Sequence, residues 1–316
     1  MEGRKAEHFS ASSISAYERC QKLYDYEYNQ RYRTTNISTA LKTGLMMHEA
    51  QEMYLRGTSQ SAVIENIEQE VRDNGWDEDP LLLPKLRSYI KGYYVHWEDD
   101  DANAFDEKRY EVLEIEEDFR FNAFGPDTDS PAFVGRIDAV LKDTRDDCIL
   151  LMEHKNVSSK DWQDPTSLSW QSLPMNNQVT IYAEHLKRKY GLPVYLWYDV
   201  VLTAPNTKPK IKDRKTKARE SIEEFEERLA DEYTGDKGED KFIRRKIPVL
   251  ENSQRLRMME IVEIAQEANR MIHPKRNTQS CRSFGGCPFF QCCLGTERVE
   301  ESSKFHIVES LYKEKE

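Results

Sequence analysis

No stretch of this chain approaches the roughly 18 consecutive apolar residues that a membrane helix needs. The opening Met1-Glu2-Gly3-Arg4-Lys5 leads into polar sequence without the apolar core of a signal peptide, so a cytoplasmic protein with no membrane partner is expected. A Gly-x-x-x-x-Gly-Lys-Ser/Thr loop is absent, which excludes an ATP-driven motor of that type within these residues. Internal repeats are absent too. Positive charge is in deficit: 46 Lys and Arg against 57 Asp and Glu leave a formal net charge of −11. That balance argues against indiscriminate binding of nucleic acid. Cysteine is scarce and clustered, with four of the six between Cys281 and Cys293. In a cytoplasmic chain such clustering points to a metal or redox site rather than to disulfides. Cys148 stands apart within an apolar run and is expected as a small core residue.

What is present is a chain of 316 residues, 38% hydrophobic and 33% charged, long enough for one large or two modest domains with a substantial core. Its most informative stretch is Val134-Gly135-Arg136-Ile137-Asp138, followed by Glu153-His154-Lys155. The apolar runs Ala132 to Leu141 and Cys148 to Met152 flank a polar turn, Thr144-Arg145-Asp146-Asp147, and predict a β-hairpin. Symmetry about that turn sets Asp138 opposite Glu153, and period-two alternation puts Lys155 on the same face as Glu153. Opposed like charges repel, and between apolar runs they are costly unless a cation lies between them. A divalent metal with a neighbouring ammonium would satisfy both acids, and that combination performs phosphodiester hydrolysis. The same three residues would also serve as an exposed surface ion pair of little energetic weight.

Around the hairpin the elements follow from local patterns. Phe9 to Cys20 opens with several candidate N-cap serines and predicts a helix with Ile14, Tyr17 and Tyr24 inward. A helix is expected over Ala40 to Tyr54, introduced by Gly44 and carrying His48 and Glu52 one turn apart. Residues 60–101 look helical with a break near Asp79-Pro80. Tyr110 to Phe124 alternates as a strand, Asn177 to Leu186 forms a helix ended by Gly191 and Pro193, and Val194 to Thr203 is β-rich. A basic strip follows, Lys208, Lys210, Lys212, Arg214, Lys215, Lys217 and Arg219, which suits either a solvated loop or a track for phosphates. Charged amphipathic helices are expected from there to about Arg270. This order predicts a mixed α/β core with helical additions at both ends.

The succession Gly-x-x-Asp (Gly135 to Asp138), Glu-x-Lys (Glu153 to Lys155) and Gln-x-x-x-Tyr (Gln178 to Tyr182) resembles the PD-(D/E)XK nuclease superfamily. More narrowly it is similar to the RecB-like exonuclease branch with its CRISPR-associated and phage-encoded members. Gly44-Leu45-Met46-Met47-His48-Glu49 resembles that branch's helix with a metal-binding histidine, and Ser12-Ser13-Ile14 through Cys20 its N-terminal helix. The basic strip followed by Lys241-Phe242-Ile243-Arg244-Arg245 is similar to the layout of phage-encoded members, and the cysteine-rich end to the branch's iron–sulfur segment. The resemblance covers nearly the whole chain. It implies a restriction-endonuclease-like mixed central sheet, with the helical additions joined at the cysteines. The whole of 1–316 would then be one nuclease domain. Its helical part is 10–104, its core about 105–205, its basic loop and second helical part 206–275, and its cysteine segment 276–296.

By that resemblance Asp138 and Glu153 would bind Mg²⁺ or Mn²⁺ together with His48 and the backbone carbonyl of His154. Lys155 would orient the attacking water or neutralise charge on the phosphate. Gln178 and Tyr182, four apart on one helix face, would position Lys155 or the DNA backbone. Taken alone, those two also suit an ordinary inward-facing helix stripe, and His48 a satisfied contact between helices. His8, His96, His154 and His185 show no comparable context through their side chains. DNA would be bound by Lys208, Lys210, Lys212, Arg214 and Lys215. The resemblance further implies a DNA exonuclease in phage or prophage recombination or replication, alone or beside a separate helicase or recombination protein.

Four thiolates hold either an iron–sulfur cluster or a structural zinc. The branch takes one ligand from its N-terminal helix and three from its C-terminal end. This implies Cys20, Cys281, Cys287 and Cys293 around a [4Fe-4S] cluster, with Cys293 preferred over Cys292 by the usual spacing. Here five residues separate Cys281 from Cys287, where many members have two. Competing with a nuclease are a catalytically idle DNA-binding or assembly subunit of the same fold and a zinc-bearing nucleic-acid adaptor.

Overall fold

The structure, a computed structural model, describes residues 8–106, 108–125, 130–204, 207–213 and 215–310. The chain begins with α1 (Ala11–Arg19), whose start is closed by a capping box between Ser10 and Ser13. It breaks at Cys20 (φ −169°, ψ 118°) and restarts as α2 (Gln21–Tyr24), followed by a π-helical turn over Asp25–Asn29. Ile14, Tyr17 and Tyr24 are buried as expected, and the two tyrosine rings meet edge to face. After β1 (Tyr32–Thr34) come α3 (Thr39–Leu55), α4 (Gln60–Asp73) and α5 (Leu82–Asp106). Ser38 rather than Gly44 introduces α3, its hydroxyl accepting from the Leu41 amide, so Gly44 lies inside the helix.

The core is a five-stranded mixed sheet in the order β2 (Tyr110–Asn122), β3 (Ala132–Asp143), β4 (Cys148–Val157), β5 (Val194–Leu202) and β6 (Phe242–Pro248). Only β4 and β5 run parallel. Their crossover carries α6 (Leu168–Gln171) and α7 (Asn177–Tyr190), the latter ended by Gly191 in the left-handed region (φ 66°). Between β5 and β6 stands α8 (Ile222–Thr234). The chain closes with α9 (Glu251–Arg270), α10 (Phe290–Leu294) and β7 (Phe305–Ile307), which pairs antiparallel with β1.

One expected helical stretch is corrected. Phe242–Pro248 is an edge strand, not part of a run of helices to Arg270. Three consecutive basic residues lie between its apolar ends, and the Arg244 side chain is buried against acids of β5 and α5, so its charge does not signal a solvated surface. Each face of the sheet has its own cover. Ile137, Val140, Ile149, Leu151, Tyr198 and Val200 belong to the core built with α1, α7 and α9. Ala139, Leu141, Leu150, Met152 and Trp197 face the other way, and Cys148 sits among them as expected.

Candidate active site

The hairpin takes the register expected of it. Asp143 pairs with Cys148 and the ladder runs to Ala139 with Met152; Asp138 and Glu153 follow just beyond that last pair, close enough for the Asp138 charge to act on Glu153. Gly135 is needed just upstream: a Cβ there would lie 2.7 Å from the Tyr182 ring and 2.8 Å from Phe119. The chain can therefore pass under α7 only without a side chain at this position.

Asp138 Oδ2 accepts the His154 amide at 2.7 Å and lies 3.6 Å from His48 Nδ1, which α3 brings to the edge of the hairpin. Glu153 is 3% exposed. Its Oε1 accepts from Gln178 Nε2 at 2.6 Å and faces Lys155 Nζ at 3.5 Å, while Oε2 is buried with no hydrogen-bond partner among the described residues. Burial, and then the Asp138 charge, push the Glu153 carboxyl well above the usual carboxylate range. Burial acts the same way on Asp138, but the His48 bond and the charges and amide of the two histidines outweigh it and hold that group below its ordinary value. The pair thus carries one negative charge comfortably and a second only with added positive charge.

Gln178 and Tyr182 both reach the site from α7, though Gln178 bonds Glu153 rather than Lys155. Tyr182 packs edge to face on Phe119 and is held off ionisation chiefly by burial and then by Glu153. His48, Asp138, Glu153, Lys155, Gln178 and Tyr182 therefore converge. The donor set suits a hard divalent ion: two carboxylates, one oxygen buried and unsatisfied, an imidazole, and a carbonyl at His154.

The His154 side chain has a setting that the sequence did not disclose. It is 2% exposed, on the face opposite Glu153, with Nδ1 2.9 Å from Asp199 Oδ2. Burial would raise the Asp199 carboxyl, but the Arg244 charge and the bonds from His154 and Tyr93 hold it far below the usual range. One signal was available: Asp199 is the lone acid in the apolar strand Val194–Leu202, and such a residue demands a partner.

A second acidic group lies at the turn end of the hairpin. Asp143, Asp146 and Cys148 bring potential ligand atoms within 4.8 Å of one another. Lys246 already bonds both acids, at 2.9 Å for Asp143, so one ammonium answers part of their charge without an ion.

Cys20, Cys281, Cys287 and Cys293 line a single apolar cavity with Leu23, Phe289 and Leu294, at the break between α1 and α2. Cys292 is not in that lining, although it packs against the same apolar cluster, with Leu23, Tyr26 and Phe289, as Cys20, Cys287 and Cys293. Lys208, Lys210, Lys212 and Lys215 are exposed on the loop after β5, where Ile211 bridges Arg219. Part of that charge is answered internally, Lys212 by Glu224 at 2.6 Å. Arg214 lies outside the described residues.

The family profile of the PD-(D/E)XK nuclease superfamily matches residues 8–294 of the sequence. The chain belongs to that superfamily. No curated protein matches the sequence. Among solved structures, a Eubacterium rectale protein named as a proposed exonuclease shares 14% identity, covering 92% of this chain and 88% of its own, with a TM-score of 0.48. Of the convergent residues, Asp138, Glu153 and Lys155 lie on the β3–β4 hairpin, His48 on α3, and Gln178 and Tyr182 on α7.

Proposed function

We propose that this nuclease is a divalent-metal-dependent deoxyribonuclease of the RecB-like type, acting as an exonuclease on single strands or duplex ends. The observation that carries the reading is the buried Asp138–Glu153 pair, with an unsatisfied Glu153 oxygen and the Lys155 ammonium beside it. Asp138, Glu153, His48 and the His154 carbonyl would hold Mg²⁺ or Mn²⁺. When bound, such an ion lowers the pKa of a water and polarises the scissile phosphate. Lys155 stands where it can orient that water or meet charge growing on a phosphate oxygen. Gln178 fixes the Glu153 carboxylate, and Tyr182 seats α7 on Gly135, so the acids keep their mutual approach.

The basic loop supports a DNA track. It leaves the sheet directly after β5, whose end pairs with the end of β4 carrying Lys155. The four cysteines of the cavity, one from the helix break and three from the C-terminal segment, suit a [4Fe-4S] cluster, with zinc as the alternative ion. Metal analysis and absorbance near 400 nm of anaerobically purified protein separate the two. The biological setting is phage or prophage recombination or replication in a host cytoplasm, beside a separate helicase or recombination protein. End-labelled single- and double-stranded DNA incubated with Mg²⁺ or Mn²⁺ tests the activity. Progressive shortening from an end supports it, and intact DNA under every condition rejects it.

A further inference from the structure

A chain of polar groups runs behind the candidate site, through five elements, α3, α5, β6, β5 and β4. Tyr54 Oη on α3 donates to Asp101 Oδ2 on α5 at 2.9 Å, and Arg244 Nη1 on β6 donates to Asp101 Oδ1 at 2.7 Å. Arg244 Nη2 reaches Tyr93 Oη at 3.1 Å, Tyr93 in turn donates to Asp199 Oδ2 at 2.5 Å, and Arg244 Nε lies 3.5 Å from Asp199 Oδ1. The Arg244 guanidinium is also stacked between ring faces, 4.1 Å over Trp97 and 5.2 Å over Trp197. Asp199 is 0% exposed, and the chain ends at His154 Nδ1.

Core cohesion alone does not require this arrangement. Well-packed apolar residues of similar volume would serve a core as well, without the desolvation of Arg244, Asp199 and Asp101. The place where the chain ends is what distinguishes it. His154 stands between Glu153 and Lys155, and alternation sends its ring to the opposite face of the sheet. Pinning that ring therefore pins a peptide unit on the site side. Its N–H holds Asp138 Oδ2 at 2.7 Å. A ligand-bearing residue fixed by hydrogen bonds from behind is the usual way a protein orients a metal site.

We propose that Asp199, held by Arg244 and Tyr93, is a positioning residue that locks His154 and, through its peptide, the Asp138 carboxylate and the spacing of Glu153 and Lys155. The role rests on the metal-dependent reading given above. His154→Leu cuts the connection while leaving the Asp199–Arg244–Asp101 group in place. His154→Asn restores a donor close to the position of Nδ1.

Mn²⁺ affinity of the full chain without DNA, followed by the resonance of free Mn²⁺, is the primary readout, with thermal midpoint, kcat and KM beside it. Folded His154→Leu is expected to lose on the order of 10–100-fold in Mn²⁺ affinity, with kcat reduced and KM for DNA unchanged, and His154→Asn to recover most of both. Native Mn²⁺ affinity in folded His154→Leu overturns the proposal, as does a folded His154→Asn no better than His154→Leu. Should His154→Leu fail to fold, Tyr93→Phe, which deletes one hydroxyl, is decisive: several-fold weaker binding supports the role and native binding overturns it. Asp138→Asn separates the two layers. If it loses Mn²⁺ while His154→Leu does not, only the positioning role falls; if the native chain and Asp138→Asn bind Mn²⁺ alike, the metal site and the role fall together.

Discussion

The two ends of one hairpin each carry a pair of acids, and the two pairs are partnered differently. At the turn, Asp143 and Asp146 share the Lys246 ammonium, and Asp143 also accepts the amides of Arg145 and Asp146. Burial would raise the Asp143 carboxyl, but those partners outweigh it and set the group below its ordinary value. At the other end Lys155 lies 3.5 Å from Glu153, and the Glu153 carboxyl stays above its ordinary value. Counting acids does not distinguish these places. The sum of burial, partners and remaining charge does, and under the proposed function the Asp138 end is the one that receives the cation.

The comparison breaks most sharply under substitution. Asp138→Ala or Glu153→Ala should abolish Mn²⁺-dependent DNA degradation. Lys155→Ala should reduce it by about 10²–10³-fold. Asp146→Asn at the turn should leave it near native. Gel assays on end-labelled DNA, with circular dichroism confirming the fold, decide this. Full activity in the first three variants would remove the distinction between the ends.

Next in size is ligand stabilisation. Mn²⁺ at about 100 times its dissociation constant should stabilise the native chain by about 2.7 kcal/mol. Thermal unfolding should show this gain in Asp146→Asn and lose it in Asp138→Asn. Removing the balancing charge at the turn comes third. Lys246→Met leaves Asp143 covered and underpaired, at a cost of about 1–3 kcal/mol, while kcat per folded molecule persists. Urea unfolding measures the loss, and an unchanged midpoint would mean that Lys246 does not neutralise the pair.

The two ends should also respond to pH with opposite signs when metal is absent. Because the Glu153 carboxyl is raised, its contribution to stability is full below the ordinary carboxylate range and falls as pH rises toward the raised value. Asp143, being lowered, contributes above the ordinary range and loses that contribution as pH falls through its folded value. Glu153→Gln should therefore gain on the native chain with rising pH, and Asp143→Asn should approach it under acid conditions. Unfolding midpoints across pH, in the presence of a chelator, test both slopes. The smallest effect belongs to the basic loop, where Lys210→Ala should lower the salt dependence of DNA binding by about one unit of slope. An unchanged slope would place the phosphates elsewhere.

Much of this was open to sequence reasoning wherever chemistry repeats at short range. The Thr144–Asp147 turn and the alternation around it set the hairpin register as far as Ala139 and Met152, so the nearness of Asp138 to Glu153 could be expected before any coordinates. Gly191 ended α7, and Cys20 falls where α1 and α2 part. What stayed hidden depends on distant partners. Phe242–Pro248 looked like part of a charged surface helix because nothing local says that Arg244 is covered by Trp97, Asp101 and Asp199. The His154 side chain was passed over for the same reason, since its partner lies 45 residues away on the neighbouring strand.

The β1–β7 ribbon, finally, imposes an order on synthesis. Residues 32–34 find their strand partner only in residues 305–307, and the cysteine lining joins residue 20 to residues 281–293. As the chain leaves the ribosome, the hairpin with its acids can form long before this clasp exists. While the ends are still apart the carboxylates can already be in place, and the entropy of closing some 270 residues is met when the clasp forms. Completion of the clasp is therefore a late event in the molecule's life, separate in time from the folding of the strands that carry the chemistry.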